Sequence, residues 1–325
     1  MAARRVRRLR LRRRRVPGGT ERMRWPHLFL GVLVTVIWGS NFSVIEVGLR
    51  DLDPFLLTGL RFTLTAFPLV FVLRQPRDVP LMALAGYGVV FGAGLWWVVN
   101  LAMAKGMSPG MSSLVLQFSA FFTVLASAIF LRERMKVAQV VGMLLAGSGL
   151  CVVITNTPGT ATTTGVALVL LAACAWTVCN LIVKRYRPAD MMAFVVWSSL
   201  FSAPVLLGLA FVDRGSAPFV HLVRDVSWTA VGSVLFQAYV TTVFGYMVWN
   251  NLMKTYPAAM VAPLSLIVPI SGMATSYLAF DERFSAGVWL GVLVMLLGIG
   301  VFVCAPCVRW QRMAGRGAVP PPSSG

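Results

Sequence analysis

Charge is scarce in this chain, and negative charge scarcer still. Of its 325 residues 12% are charged, 11 are Asp or Glu and 2 are His, while 58% are hydrophobic. An ordinary soluble domain is about 25% charged and about 45–50% apolar, so a disordered chain, a coiled coil and a conventional soluble enzyme are excluded together. Histidine is too rare and too badly placed for catalysis: His27 and His221 both fall outside the cores of the apolar runs. A membrane-embedded enzyme would need clustered acids or a positioned nucleophile, and the embedded acid is essentially Glu46 alone. There is no GxxxxGK[ST] phosphate loop and no repeated filter loop or ring of charges of the kind that lines a pore. Cysteine is sparse too, at positions 151, 174, 179, 304 and 307. Cys304 and Cys307 form a CxxC without the second pair of ligands that a structural zinc site takes, and they read as small apolar residues at a helix end. No metal or cofactor is expected.

What the chain does have is long apolar runs, with a mean hydropathy of +0.77. Runs of about 20 residues match the thickness of a bilayer, and ten of them follow one another: 28–49, 55–73, 81–104, 108–131, 137–155, 164–183, 191–212, 227–252, 258–280 and 286–306. The expected fold is therefore an all-α integral membrane protein. Only the 213–226 connection is long, and it leaves no room for an inserted soluble domain. Lys and Arg divide unevenly between alternate connections, 23 on one side against 5 on the other. The richer side is the cytoplasmic one, so both termini are expected inside the cell. Without residues 1–22, which hold ten of the arginines together with Glu21, the bias still favours that orientation.

The net charge of +18 is concentrated in the tail 1–26, with eleven Arg and one Glu. As a nucleic-acid arm this tail lacks interleaved aromatics and an accompanying fold, so no nucleic-acid partner is expected. Attraction to anionic lipid headgroups fits better. Met23 opens "MRWPHLFLGVLV", a natural membrane-protein start, so the first 22 residues also read as an over-extended beginning.

The chain repeats itself. A shift of 149 residues sets the fourth and fifth runs on the ninth and tenth: Met111 meets Met260, Ser127 meets Ser276, Glu133-Arg134 meets Glu282-Arg283, Gly142 meets Gly291 and Gly149 meets Gly298. Trp38 with Asn41 in the first run corresponds more loosely to Trp176 with Asn180 in the sixth. Five runs per half, an odd number, require the halves to lie in opposite orientations. The expected organisation is a tail (1–26), a first five-helix repeat (27–156), an inverted second repeat (164–307) and a second cytoplasmic tail (308–325). Inverted repeats place a substrate site at their interface and move by alternating access.

The segments "WGSNFSVIEVGL", "LTGLRFTLTAFPLVF", "GMSSLVLQFSAFFTVLASAIFLRERM" and "VAPLSLIVPISGMATSYLAFDERFSAGVWLGVLVMLLGIGVFV" resemble the EamA-type family of the drug/metabolite transporter superfamily over about residues 28–305. Within it, "GYGVVF", "VVWSSL" and "APLSLIVP" are most similar to O-acetylserine/cysteine exporters. The resemblance implies an inner-membrane secondary transporter exporting small metabolites without ATP hydrolysis. One departure stands out: the family's first-run motif usually continues WGSNF-x-x-I-K, and Glu46 stands here in place of that Lys.

A charge at the centre of a span costs about 2.5–3.5 kcal/mol on insertion scales, which singles out Glu46 and Arg61. Counted from the loop between them at 1.5 Å per residue, both lie about 7–11 Å deep on consecutive helices. They are expected to pair, either as a structural clasp or as a proton or substrate site. The neutral amides and aromatics complete the candidate set: Trp38 with Asn41, Asn100 beside Trp97, Gln117, Asn180, Gln237, Tyr246 and Ser265. The period of an α-helix also puts Tyr239, Tyr246 and Asn250 on one face. Such groups serve either as interhelical hydrogen bonds or as the lining of a wet cavity, and a zwitterionic metabolite needs donors and acceptors with aromatic walls. Pro263 and Pro269 are expected to bend the ninth run and free its carbonyls. The partners expected are a small polar metabolite and the lipid bilayer, with protons as candidate coupling ion and a homodimer left open. A lipid flippase and a non-transporting membrane scaffold are the alternative readings.

Overall fold

The structure, a computed structural model, describes residues 23–130, 135–157, 162–256 and 258–314, apart from the side chains of 258, 259, 262 and 303–314. Residues 1–22 of the basic tail, the Glu133-Arg134 pair, residues 315–325 of the C-terminal tail and the side chains of Cys304 and Cys307 lie outside that description, while residues 308–314 continue the last helix, Ala286–Ala314. Among the described residues the fold is helical throughout, and nine helices are long and apolar enough to cross a bilayer: Trp25–Leu49, Pro54–Phe71, Leu81–Ala104, Pro109–Phe130, Val137–Thr155, Thr163–Tyr186, Met191–Arg214, Trp228–Thr255 and Pro263–Phe280. A shorter apolar stretch, Ala286–Phe302, opens the tenth span. The ten predicted spans are thus all present, and they are numbered here in chain order. One end of the bundle, the Asp51 face, carries the loops that follow the odd-numbered spans; the other is the Asp78 face.

Sequence sets the helix starts in a recurrent way. Asp53, Ser108, Thr162, Asp190 and Ser227 each accept backbone N–H bonds at the head of a span, satisfying amides that have no partner in the preceding turn. The 213–226 connection folds into a short helix, Ala217–Arg224, laid on the Asp51 face. There His221 Nε2 meets Asp51 Oδ1 at 2.7 Å and the Ser227 amide donates to Asp51 Oδ2 at 2.7 Å, so one carboxylate ties the first loop to the 213–227 segment.

The bundle exposes an apolar surface, and polar side chains are set within its largely apolar core. Leu144, Leu278, Val212 and Trp228 are exposed, while Asn41, Arg61, Asn100 and Gln237 are buried. That distribution suits a hydrocarbon surround, in which polar groups must find partners inside the protein.

Close backbone packing carries the twofold relation between the halves. The fifth and tenth spans pack along glycines, and the contacts are reciprocal. A β-carbon on Gly142 would lie 2.6 Å from the Gly298 carbonyl oxygen, and one on Gly298 would lie 2.6 Å from that of Gly142. Gly149 and Gly291 exchange the same relation at 2.7 and 2.8 Å. Since Gly142 corresponds to Gly291 and Gly149 to Gly298 in the repeat, each residue touches the counterpart of its own neighbour. Only an antiparallel pair related by a twofold axis does this, and van der Waals fit between small residues is what drives helix association in lipid.

Candidate functional site

Two pairs of repeat-related spans depart from regular helix, and they do so at matching places. The third span contains a π-helical stretch at Val90–Trp97 and the eighth one at Phe236–Phe244. Wider turns leave backbone groups available and often mark functional sites. The fourth span breaks after Val115 and resumes at Phe118, and the ninth tightens into a 3-10 stretch at Ala262–Leu266. Proline explains the ninth: Pro269 has no N–H to return to the Ser265 carbonyl four residues earlier. Gln117 Nε2 donates to that carbonyl instead, at 3.2 Å. Gln117 and Ser265, from opposite halves, are thereby brought together.

Arg61 lies between the two π-helical stretches and is 1% exposed. Its guanidinium stacks over Trp96 at 4.0 Å, and its Nε and Nη2 donate to Thr242 Oγ1 at 3.3 and 3.1 Å. Trp96 and Thr242 occupy equivalent places in the two stretches, seventh from the start of each. The Thr242 hydroxyl in turn donates to the Gln237 carbonyl five residues back, across the π turn. Nη1 has no hydrogen-bond partner among the described residues.

Several other polar residues of the first, second, third and eighth spans belong to the same polar group. Thr241 receives Trp38 Nε1 on its carbonyl and donates its hydroxyl to Asn41 Oδ1, both at 3.0 Å. Asn100 donates to Thr58 Oγ1 at 2.8 Å, one turn before Arg61, and Trp97 stacks on Phe55 with ring centroids 4.4 Å apart. Gln237 donates to Ser233 Oγ at 3.0 Å. Tyr246 packs against Trp38 and Phe91. Asn41 Nδ2, Asn100 Oδ1, Gln237 Oε1 and Trp96 Nε1, all buried, have no hydrogen-bond partner among the described residues. Asn180 belongs elsewhere: it accepts from Trp176 Nε1 and donates to Thr123 Oγ1, joining the sixth span to the fourth. Trp96 and Trp176, 6.3 Å apart, bridge this second group to the first.

Two expectations need correction. Glu46 and Arg61 do not pair: among the described residues no cation lies within salt-bridge distance of Glu46. Depth was read correctly, but azimuth decides contact. Gly39 and Ser43 face the ninth span, against Ser271 and Thr275, and Glu46 continues that stripe at i+7, away from Arg61. Next, Tyr239 does not share a face with Tyr246; its hydroxyl reaches the Phe67 carbonyl on the exterior, because the π turn between them rephases the helix. Trp38 with Asn41 and Trp176 with Asn180, which correspond only loosely in sequence, have different partners in the two halves. Sequence reasoning also missed Trp96 and Thr242, whose hydrophobic neighbours gave no signal; the π turns that aim them were not legible.

The sequence profile of the EamA-like transporter family matches this chain twice, over residues 25–155 and 163–304. The chain belongs to that family. It is a multi-pass membrane transporter with the two-repeat EamA fold. It is 36% identical over 290 residues to a "probable amino-acid metabolite efflux pump" of Escherichia coli, covering 87% of this chain and 96% of that protein. A Salmonella typhimurium protein of the same description is 36% identical over 288 residues, covering 86% and 96%. A "probable terminal-alkyne amino-acid exporter" of Streptantibioticus cattleyicolor is 27% identical over 301 residues, covering 88% and 93%. A solved crystal structure superposes with a TM-score of 0.60 at 19% identity, covering 87% of this chain and 96% of that one, and shares the fold.

Proposed function

We propose that this transporter exports small amino-acid-like metabolites across the inner membrane by alternating access, with the substrate carboxylate held at Arg61. The observation that carries the reading is a fully buried guanidinium that, among the described residues, has no carboxylate opposite it and one nitrogen without a partner. A charge out of water is costly unless it is paired, and a substrate carboxylate would supply the missing partner with bidentate geometry. Trp96 and Tyr246 give the aromatic walls, and the unpartnered atoms of Asn41, Asn100 and Gln237 offer a donor and two acceptors for the remaining polar groups. The printed descriptions of the relatives favour amino-acid metabolites over lipids. Both termini are cytoplasmic in this reading, and rocking of one half on the other is centred on the glycine seam between the fifth and tenth spans.

The test is efflux from proteoliposomes loaded with a pool of amino acids that includes cysteine and O-acetylserine, with internal pH followed for proton coupling. Selective loss of one or more carboxylate-bearing metabolites is expected from the parent protein. In Arg61→Met and Arg61→Lys proteins that flux is expected to fall at least tenfold, a loss of about 1.4 kcal/mol or more of binding. Parental flux in folded Arg61→Met protein would overturn the assignment.

A further inference from the structure

Glu46, turned away from the Arg61 cluster, lies in a cavity of about 450 Å³ at the Asp51 face, between the first, third, fourth and ninth spans. Glu282 lines it too. The ninth span ends at Asp281, whose left-handed backbone (φ 51) stops the helix. Glu282 then folds back to accept from the Ser276 hydroxyl. It is only 8% exposed, and its Oε1 has no hydrogen-bond partner among the described residues. Gly110 leaves the room: a β-carbon there would stand 3.1 Å from Glu282 Oε2. Two arginines line the same cavity. Arg283 pairs with Asp281 at 3.2 Å, and Arg50, one helical turn beyond Glu46, sits over the Phe280 ring at 5.0 Å.

The internal repeat supplies the comparison. Ser276 corresponds to Ser127 at the opposite end of the bundle, and the alignment that sets Trp38 on Trp176 sets Glu46 on Lys184. Lys184 Nζ donates to Ser127 Oγ at 3.3 Å. One end of the molecule thus places an ammonium beside its serine, whereas the other places a second carboxylate beside an already buried one. We infer that Glu46 and Glu282 form a binding site for a small monovalent cation, which takes the place that the Lys184 ammonium holds in the other half. Two sources share this chemistry: the primary ammonium of a metabolite passing the Asp51 face, and an inorganic ion such as sodium or potassium. The inference is read through stability, not flux, so it stands or falls apart from the assignment of Arg61.

The experiment measures the thermal midpoint of purified full-length protein in nanodiscs, in methylammonium, sodium or potassium chloride against choline chloride at equal ionic strength. At least one small cation is expected to raise the midpoint by about 2–4 °C over choline, the shift of a ligand held above its Kd. The rise is expected to vanish in Glu282→Gln. A response to methylammonium alone identifies the metabolite ammonium as the source, and a response to sodium or potassium identifies the inorganic ion. Glu46→Lys restores the arrangement of the other half and provides a second arm should Glu282→Gln not fold. It is expected to be more stable than the parent in choline and indifferent to added cation. No rise over choline in the parent, an equal rise in the variants, or a Glu46→Lys protein less stable than the parent would each overturn the site.

Discussion

Gln117 and the Ser265 carbonyl meet where the two broken helices cross, one from each half, and the bond exists because Pro269 cannot return the usual helical amide to Ser265. Gln117→Ala should therefore destabilise the protein by about 1 kcal/mol, the typical net value of a hydrogen bond. In a Pro269→Ala background, where an amide is restored at that position, the same substitution should cost measurably less. A double-mutant cycle on thermal midpoints reads the difference; strictly additive losses would show that the proline and the glutamine are unconnected.

The glycine seam separates contact from propensity. Gly142→Ala forces a methyl group onto the Gly298 backbone and should cost about 1–3 kcal/mol. Gly147 lies in the same helix with open space around it, so Gly147→Ala should be neutral or stabilise by about 0.5–1 kcal/mol. Purified yield and midpoint of the two variants, compared side by side, decide the point.

Asp51 is held below the ordinary carboxylate value, 3.8, first by the Ser227 amide, then by the Ser227 hydroxyl and by His221. A lowered folded-state value stabilises the protein above the unfolded one and loses that contribution as pH falls through the folded one. Stability should thus be fully present above about pH 4 and decline below it as the loop clasp releases. Asp51→Asn should be less stable than the parent at pH 6, and the gap should close in acid. A gap unchanged across that range would mean the clasp is not ionic.

Orientation is testable with single cysteines in a cysteine-free background. Ser216 and Gln75 are both exposed, on the Asp51 and Asp78 faces. From the Lys/Arg asymmetry, Ser216→Cys should react with a membrane-impermeant maleimide in intact cells and Gln75→Cys only after permeabilisation. The reverse pattern would invert the topology.

Composition and the spacing of charged breaks were enough to determine ten spans, because hydrocarbon admits only helices long enough to cross it and satisfied within themselves. The repeat was legible for a similar reason: Gly142, Gly149, Gly291 and Gly298 sit where two backbones must touch, and nothing larger fits. Most of the polar candidates were legible singly, since an amide or a charge inside an apolar run has to be accounted for. What they bind was not. Whether Glu46 meets Arg61 or Glu282 depends on rotation about a helix axis, which equal depth leaves undetermined, and the ninth span's packing on the Gly39–Ser43 stripe fixes it. The π turns in the third and eighth spans change phase without changing composition, so Trp96 and Thr242 came to Arg61, and Tyr239 left Tyr246, for reasons that reside in the backbone. Periodicity is a local property and reveals which residues are out of place; only the packed bundle, by choosing the rotation and phase of each helix, decided which of them face one another.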